Sequence, residues 1–283
     1  MSISSSAILA RLNISVWTAN KLDRTATDQV TSTNRADSKA AQVRKNLMAG
    51  TKSRKDISDY AAECRLWHNQ LTLAWEDRGS RLLPTSLFMD YKTEANARQL
   101  KFNKMVDQFL VNYDAHVQTS ANYLGGLFNS NDYPTAAEVR TKFGFNLVFN
   151  PVPEAGHFVL DIPAQELEET KQSCEQEIES KLNDAMRGAW DRLHKQLTTM
   201  SDKLGNTDEG TKKRWHDSFV VNAVDLCEIL THLNVTRDPK LEQARRALQS
   251  AMNGLSVEAL KTSDTVREST KDKLDAILET FEW

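Results

Sequence analysis

A concentration of cationic side chains between residues 21 and 55 is the part of this sequence best suited to chemistry. Nine Lys and Arg residues stand there against three Asp. Such an excess predicts that this part of the chain neutralises a polyanion, such as a nucleic-acid backbone. The alternative is that these side chains cover the solvated faces of two helices. The candidate phosphate contacts are Arg35, Lys39, Arg44, Lys45, Lys52, Arg54 and Lys55.

The charge of the whole chain is divided along its length. Residues 1–104 carry 17 Lys and Arg against 10 Asp and Glu, whereas residues 105–283 carry 19 against 29. The net charge of −3 and the pI of about 6.1 conceal this division. The low pI therefore does not argue against nucleic-acid binding, because a local basic surface is enough to attract phosphates.

Exposed aromatic rings beside the cations would favour single-stranded nucleic acid, since bases stack on such rings. Trp17 follows the polar phase of a predicted strand, which favours exposure of its ring. Trp75 lies in a segment of mixed polarity and is the second candidate. Tyr60 and Trp67 are seven residues apart on an apolar stripe, which favours burial in the core.

Signatures of catalysis and of metal binding are weak. The six histidines are dispersed, with no pair at metal-ligand spacing, and the three cysteines lie far apart. Gly50-Thr51-Lys52-Ser53 is similar to the end of a phosphate-binding loop, but Lys45 stands where the first glycine is required. We therefore expect a protein that is not an enzyme and that needs no cofactor and no metal.

Two features favour a soluble protein of the cytoplasm, which would be the host cytoplasm for a viral protein. The odd number of scattered cysteines suits a reducing compartment. No window approaches the roughly eighteen consecutive apolar residues that a membrane span requires, so no membrane partner is expected.

The elements that must position the basic residues are predicted from periodicity. Leu12, Ile14 and Val16 alternate with polar residues, which predicts a half-buried strand. Residues 35–49 are predicted to form a helix that ends before Gly50. Ser53 is predicted to cap a second helix. The apolar stripe of this second helix is Ile57, Tyr60, Cys64, Trp67 and Leu71.

The remainder of the chain predicts a mostly α protein with a small β-sheet, of the α+β class. Two long helices, 86–128 and 164–204, are expected to pair as an antiparallel hairpin with a β-hairpin at 145–160 at one tip. Three shorter helices are expected to follow, at 212–233, 239–252 and 263–281.

These elements predict one domain with three regions. The basic N-terminal region covers residues 1–85, the helical hairpin region 86–204, and the C-terminal helices 205–283. The heptad-like stripe of the helix 164–204 is compatible with pairing within one chain and with pairing between chains. The second alternative predicts a homo-oligomer.

Several short motifs resemble those of a phage-associated protein family of unknown function. They are Leu12-Asn13-Ile14-Ser15-Val16-Trp17-Thr18, Lys21-Leu22-Asp23, Leu82-Leu83-Pro84, Leu127-Phe128, Asp132-Tyr133-Pro134, and Leu233-Asn234-Val235-Thr236 before Asp238-Pro239. The resemblance covers most of the chain. Genes of this family lie near those of MoxR-type ATPases and von Willebrand A-type proteins, which implies a phage accessory role.

The chain is also similar to the Drc-type single-stranded-DNA-binding cofactors of podoviral RNA polymerase. This second resemblance rests on helical character and on the basic end rather than on matched residues. It implies a role with nucleic acid.

Two functions of different classes follow. The first is a phage protein that binds single-stranded DNA and supports viral transcription or replication without catalysis, beside a phage RNA polymerase. The second is a structural or adaptor protein whose long helices bind a phage or host protein such as an AAA+ ATPase. The first places the contacts in the basic region, and the second places them on the acidic helices.

Overall fold

The protein is described from a computed structural model, which covers residues 3–77, 79–154, 163–205, 218–281 and 283. Within these ranges the chain is mostly helical with a small sheet, which confirms the predicted class. The helices are α1 (Arg24–Thr33), α2 (Ser53–Leu71), α3 (Phe88–Val111), α4 (Tyr113–Leu124), α5 (Ala136–Arg140), α6 (Ala164–Gly205), α7 (Ser218–Leu233), α8 (Pro239–Met252), α9 (Val257–Thr262) and α10 (Asp264–Thr280). The strands are β1 (Ala7–Ser15), β2 (Asn20–Leu22), β3 (Arg44–Asn46), β4 (Leu73–Ala74), β5 (Arg81–Pro84) and β6 (Gly144–Asn150).

Four strands form one sheet in the order β4-β5-β1-β6, and β2 and β3 form a separate two-stranded ribbon. β1 pairs antiparallel with β5, so that Ala7 lies opposite Pro84 and Ala10 lies opposite Arg81. β1 confirms the predicted N-terminal strand and extends it toward the start of the chain. β6 is the first strand of the predicted β-hairpin, while its second strand was placed at residues 158–160, outside the described residues.

The chain divides into two compact units whose segments alternate along the sequence. The first unit consists of Met1–Arg11, Asn69–Tyr91 and Val148–Trp283, and the second of Leu12–His68 and Lys92–Leu147. The division crosses the predicted regions, since residues 1–85 contribute to both units. That the chain behaves as a single domain stays a prediction.

Helices around α6 form the core of the first unit. α6 packs mainly against α10, and α7 packs against α8. The buried residues of α6 begin at Ala185 and continue along the predicted stripe through Leu193 and Leu197 to Leu204. α8 begins where it was predicted, because the Asp238 carboxylate accepts hydrogen bonds from the first free N–H groups of the helix.

Two predictions about the long helices are corrected. The segment 86–128 is two helices, because Asn112 between α3 and α4 has φ −100° and ψ 12°, which ends regular helical geometry. Lys92–Val111 of α3 belongs to the second unit, and α6 packs against α10, α7 and α8. α10 therefore takes the place beside α6 that the sequence assigned to the helix starting at residue 86.

Two of the C-terminal helices agree with the sequence in their boundaries. α8 matches its predicted range, and α10 matches the predicted helix 263–281, while the short helix α9 was not predicted. The predicted start of α7 at residue 212 lies outside the described residues. Of the helices in the described ranges, none combines the length and the apolar character needed to cross a lipid bilayer.

Aromatic side chains fill the core of the second unit. Phe102 and Phe109 of α3 are buried with Tyr113 of α4, and Tyr60 and Cys64 of α2 belong to the same cluster. The predicted stripe of α2 is thus confirmed where it faces α3 and α4. This core is therefore rich in aromatic rings, which join α2, α3 and α4 in one cluster.

Within the first unit, Arg192 of α6 binds the backbone of residues 69–72, where α2 ends. The guanidinium of Arg192 donates hydrogen bonds to the backbone oxygens of Asn69, Gln70 and Thr72, at 2.8, 2.8 and 2.6 Å. Arg81 donates to the oxygen of Thr72 as well. Burial, together with the nearby charge of Arg81, lowers the pKa of Arg192 to about 10. Arg192 therefore satisfies carbonyl groups that the end of a helix leaves without partners.

Replacing Arg192 with Met should lower the free energy of unfolding by about 2 kcal/mol, because the backbone oxygens of Asn69, Gln70 and Thr72 lose a charged donor. Arg192→Lys should recover little of this, since one ammonium group cannot reproduce the planar fork. Urea denaturation followed by circular dichroism measures the difference. Arg187→Met, on an exposed position of the same helix, is the matched control and should change stability by less than about 0.5 kcal/mol.

Candidate nucleic-acid interface

The segment that carries most of the candidate phosphate contacts is a connection and not a helix. The helix predicted at 35–49 is wrong, because α1 occupies 24–33 and ends in a defined stop. The N–H of Arg35 donates to the oxygen of Ser32, and the N–H of Ala36 donates to that of Thr31. Arg35 has φ +52°, which completes a Schellman-type helix end. We call residues 34–52 the basic connection.

α1 starts at Asp23, whose carboxylate accepts a hydrogen bond from the N–H of Ala26 at 3.0 Å. At the other end of the basic connection, α2 begins with Ser53 as its first residue, since the N–H of Asp56 bonds to the oxygen of Lys52. Ser53 was predicted to cap this helix. Its hydroxyl instead lies 3.0 Å from Nε2 of His116 on α4.

Lys45, predicted to contact phosphate, is instead the centre of a buried ion cluster. Its Nζ lies 2.5 Å from Oδ2 of Asp132 and 3.2 Å from Oδ2 of Asp23, and it donates to the oxygen of Leu127 at 2.9 Å. Only 7% of its side chain is exposed. Lys21, directly opposite Lys45 in the β2–β3 ribbon, also reaches Asp132, at 2.6 Å. The ammonium group of Lys45 is thus neutralised within the protein, and the prediction for this residue is corrected.

The cluster shifts the pKa of each of its buried members. The hydrogen bond to Asp132 raises the pKa of Lys45, against the opposing effect of burial. The N–H of Ala26 and then Lys45 lower the pKa of Asp23. Burial alone would raise the pKa of Asp132, but its hydrogen bonds with Lys21 and Lys45 outweigh it and leave the pKa below its ordinary value.

Four predicted contacts of the basic connection are exposed and free of internal pairing. Arg35, Lys39, Arg44 and Lys52 are exposed, and none of them forms an ion pair with any residue that the structure describes. An exposed cation without a carboxylate partner can neutralise a phosphate at no cost in broken ion pairs. These four side chains therefore form the part of the predicted site that the structure leaves available.

The two predicted contacts at the start of α2 have partners. The side chain of Arg54 is half-buried, and its Nε donates to the backbone oxygen of Trp17 at 3.0 Å. Lys55 is exposed and forms an ion pair with Asp59 one turn along α2, at 2.5 Å. Such exposed pairs contribute little to stability, so Lys55 can exchange Asp59 for a phosphate. Arg54 would have to break its hydrogen bond to Trp17 before it could bind a phosphate through Nε.

The expected exposure of the two tryptophans is wrong. Trp17 is 8% exposed and packs with Phe109 and Tyr113, at centroid distances of 6.5 and 6.1 Å. Strand β1 ends at Ser15, so the alternation that pointed Trp17 to solvent does not extend to it. Trp75 is 6% exposed and belongs to the core of the first unit. In this structure neither ring has a free face for a base.

An exposed aromatic residue that the sequence did not indicate lies beside the basic connection. Tyr123, on α4, is 70% exposed. Its ring lies against Gly50, where a Cβ atom would collide with it, and Gly50 also has φ +78°. The only signal in the sequence was the tyrosine itself.

A groove of about 970 Å³ opens at the start of α1. Lys21, Arg24 and Gln29 line it from the region around α1, and Asn129 and Asp132 line it from the turn that follows α4. Its lining includes both signs of charge, so the groove alone does not select an anion. Among the residues in the described ranges, no group of three or more His, Cys, Asp or Glu side chains could hold a metal ion.

The division into units sharpens the charge asymmetry of the chain. The second unit carries 16 Lys and Arg against 11 Asp and Glu, a surplus of five positive charges. The first unit carries 20 against 28, a deficit of eight. The basic connection thus lies on the cationic unit, where the field attracts polyanions.

The ion cluster predicts a pH-dependent stability. Because the pKa values of Asp23 and Asp132 are lowered, their contribution is present above about pH 4 and is lost as the pH falls through their folded values. Because the pKa of Lys45 is raised, its contribution is complete below about pH 10 and is lost as the pH rises through its folded value.

Lys45→Met should lower the free energy of unfolding by about 2 kcal/mol at pH 7, between the effects of exposed and fully buried ion pairs. The loss should shrink as the pH falls toward 3, because the two carboxylates take up protons more readily without Lys45 than in the wild type, where Lys45 lowers their pKa values. Urea denaturation at the two pH values tests this, with the exposed Lys39→Met as control. An equal loss at both pH values would show that packing, not charge, accounts for the effect.

No protein-family model, no curated protein and no solved structure matches this chain. The resemblance of its short motifs to a phage-associated family therefore stays a prediction.

Proposed function

We propose that this protein binds single-stranded DNA, without catalysing a reaction, through the exposed cations of the basic connection. The observation that carries the proposal is that Arg35, Lys39, Arg44 and Lys52 are exposed and without an ion pair among the described residues. All four come from the 34–52 segment of a unit with a surplus of five positive charges.

The single-stranded form is favoured over duplex DNA by the kind of element that presents the cations. They project from a connection and a short ribbon, and the phosphates of a flexible strand can adapt to such a surface. A reader of the duplex major groove would present base-contacting side chains along one exposed helix. Binding of this sort suits support of viral transcription or replication, beside a phage RNA polymerase, as the similarity to Drc-type cofactors implies.

The charge of the basic connection can be tested by replacing Arg35, Lys39, Arg44 and Lys52 together with Gln. Affinity for a fluorescently labelled single-stranded oligonucleotide should fall at least tenfold. The slope of log affinity against log salt concentration should decrease by up to about 3, since each lost phosphate contact removes roughly 0.7 from it. Fluorescence anisotropy at several salt concentrations, on single and double strands, measures both effects.

The matched control removes the same charge from the other unit. Lys195, Lys240, Lys261 and Lys273 are exposed on helices of the first unit, and their joint replacement with Gln should leave affinity and salt slope unchanged. The proposal fails if the wild-type protein shows no salt-sensitive binding, or if the control variant loses as much affinity as the test variant.

A second candidate function is favoured by the exposed half of α6. Between residues 164 and 184 this helix has no buried residue, and the side chains of its glutamates are exposed. We propose as the alternative that this half binds a phage or host protein, such as an AAA+ ATPase, in a structural or adaptor role. Acidic helix faces of this kind suit a basic groove on a partner.

Charge reversal separates this alternative from nucleic-acid binding. Glu166, Glu169 and Glu177 changed to Lys should abolish recovery of an ATPase, identified by mass spectrometry, from producing cells, and should not weaken oligonucleotide binding. Glu258, Glu268 and Asp272 changed to Lys, on other helices, form the control. Recovery of the same ATPase by both variants would exclude α6 as the contact.

A further inference from the structure

Tyr123 differs from the other exposed apolar side chains of the second unit. Among the large hydrophobic residues that are exposed in the described ranges, the aromatic ones are Tyr123, at 70%, and Trp283, at 40%. Trp283 belongs to the acidic unit, where its ring stacks on His194 at 4.9 Å and meets Trp190 edge-on at 5.5 Å. Tyr123 is therefore the exposed aromatic ring of the cationic unit.

Tyr123 shares one face of α4 with two residues that contact the neighbouring segments. His116, Ser120 and Tyr123 follow one another at the spacing of adjacent turns. His116 lies 3.0 Å from the Ser53 hydroxyl, and Ser120 Oγ donates to the oxygen of Ala49 at 3.2 Å. These two contacts fix α4 against the end of the basic connection.

The third contact of this face places the ring itself. The ring of Tyr123 lies against Gly50, where the absence of a side chain allows the close approach. Gly50 stands two residues before Lys52, one of the four exposed cations without an ion pair among the described residues. An aromatic ring that is supported at one edge and open to solvent thus contacts the chain two positions before an exposed cation.

This combination matches the chemistry of one nucleotide. A base offers a flat face that stacks on a ring, and the neighbouring phosphate offers a charge that an ammonium group neutralises. A protein partner would be expected to bury a larger apolar area around the ring. The immediate neighbours of Gly50 in the chain are the small residues Ala49 and Thr51. The larger apolar Leu47 and Met48 are buried. The positive charge of the unit likewise complements a nucleic-acid strand.

We infer that Tyr123 is a base-stacking residue for single-stranded DNA, with Gly50 as the support of its ring and Lys52 as the adjacent phosphate contact. This inference rests on the proposed function and deepens it, because it adds a contact to bases to a surface that otherwise touches only the backbone. The stacking is independent of sequence, since every base has such a face.

The test compares an oligo-dT with an oligonucleotide of equal length whose central positions are abasic. The wild-type protein should bind oligo-dT more tightly than the abasic strand. Tyr123→Ala should weaken oligo-dT binding about tenfold and leave binding of the abasic strand unchanged, because only the stacking contact is lost. Tyr123→Phe should retain the wild-type affinity for both strands. Trp283→Ala, the exposed aromatic of the other unit, is the matched control and should bind as the wild type does.

Each outcome has a distinct meaning. If the wild-type protein binds in a salt-sensitive manner and Tyr123→Ala binds oligo-dT equally well, the stacking role is refuted and the proposed function stands. If Tyr123→Ala weakens both strands equally, or Tyr123→Phe is as weak as Tyr123→Ala, the ring does not act by stacking and the inference is overturned. If the wild-type protein binds neither strand, the proposed function itself fails.

Discussion

The ammonium group of Lys45 is taken almost entirely out of water, and such a group is tolerated only where opposite charge meets it. Asp23, from the start of α1, and Asp132, from the turn after α4, supply that charge. Three segments that are distant in sequence are thereby tied to one point. The basic connection leaves the opposite end of α1 at residue 34 and returns to this point at β3, so the cluster fixes one position along the segment that carries the exposed cations.

Asp23 has two tasks in this arrangement. Its carboxylate caps α1 through the N–H of Ala26, and it also pairs with Lys45. The start of α1 and the ion pair of Lys45 in β3 therefore depend on the same side chain. This coupling explains why a segment without helical structure of its own can present cations in a reproducible arrangement, which a recognition surface requires.

The sequence predicts well those elements whose signals are local. α8 is predicted within its observed bounds because Asp238-Pro239 starts it and Asn253-Gly254 follows it, and the buried half of α6 follows from its stripe. The candidate site is predicted less well, because its decisive contacts are not local. Lys45 and Asp132 are 87 positions apart, and Lys45 bonds to Leu127 across 82. Local charge counting cannot separate a neutralised lysine from a free one.

The aromatic predictions fail for a similar reason. Trp17 follows the end of β1, where alternation no longer determines direction, and tertiary packing then decides its burial. Tyr123 carries no local signal of its role, because the contact that places its ring joins it to Gly50, 73 positions away in the sequence.

The pairing of β2 with β3 has a further consequence for how the chain reaches its structure. Each strand has only three residues, and the observed register sets Lys21 opposite Lys45. A slip of one position would bring Arg44 or Asn46 inward in place of Lys45, and would turn the lysine outward. Two carboxylates would then lack the cation that fits between them. The ribbon is too short for its hydrogen bonds alone to determine the register. The ion cluster therefore stabilises the observed register relative to misaligned ones.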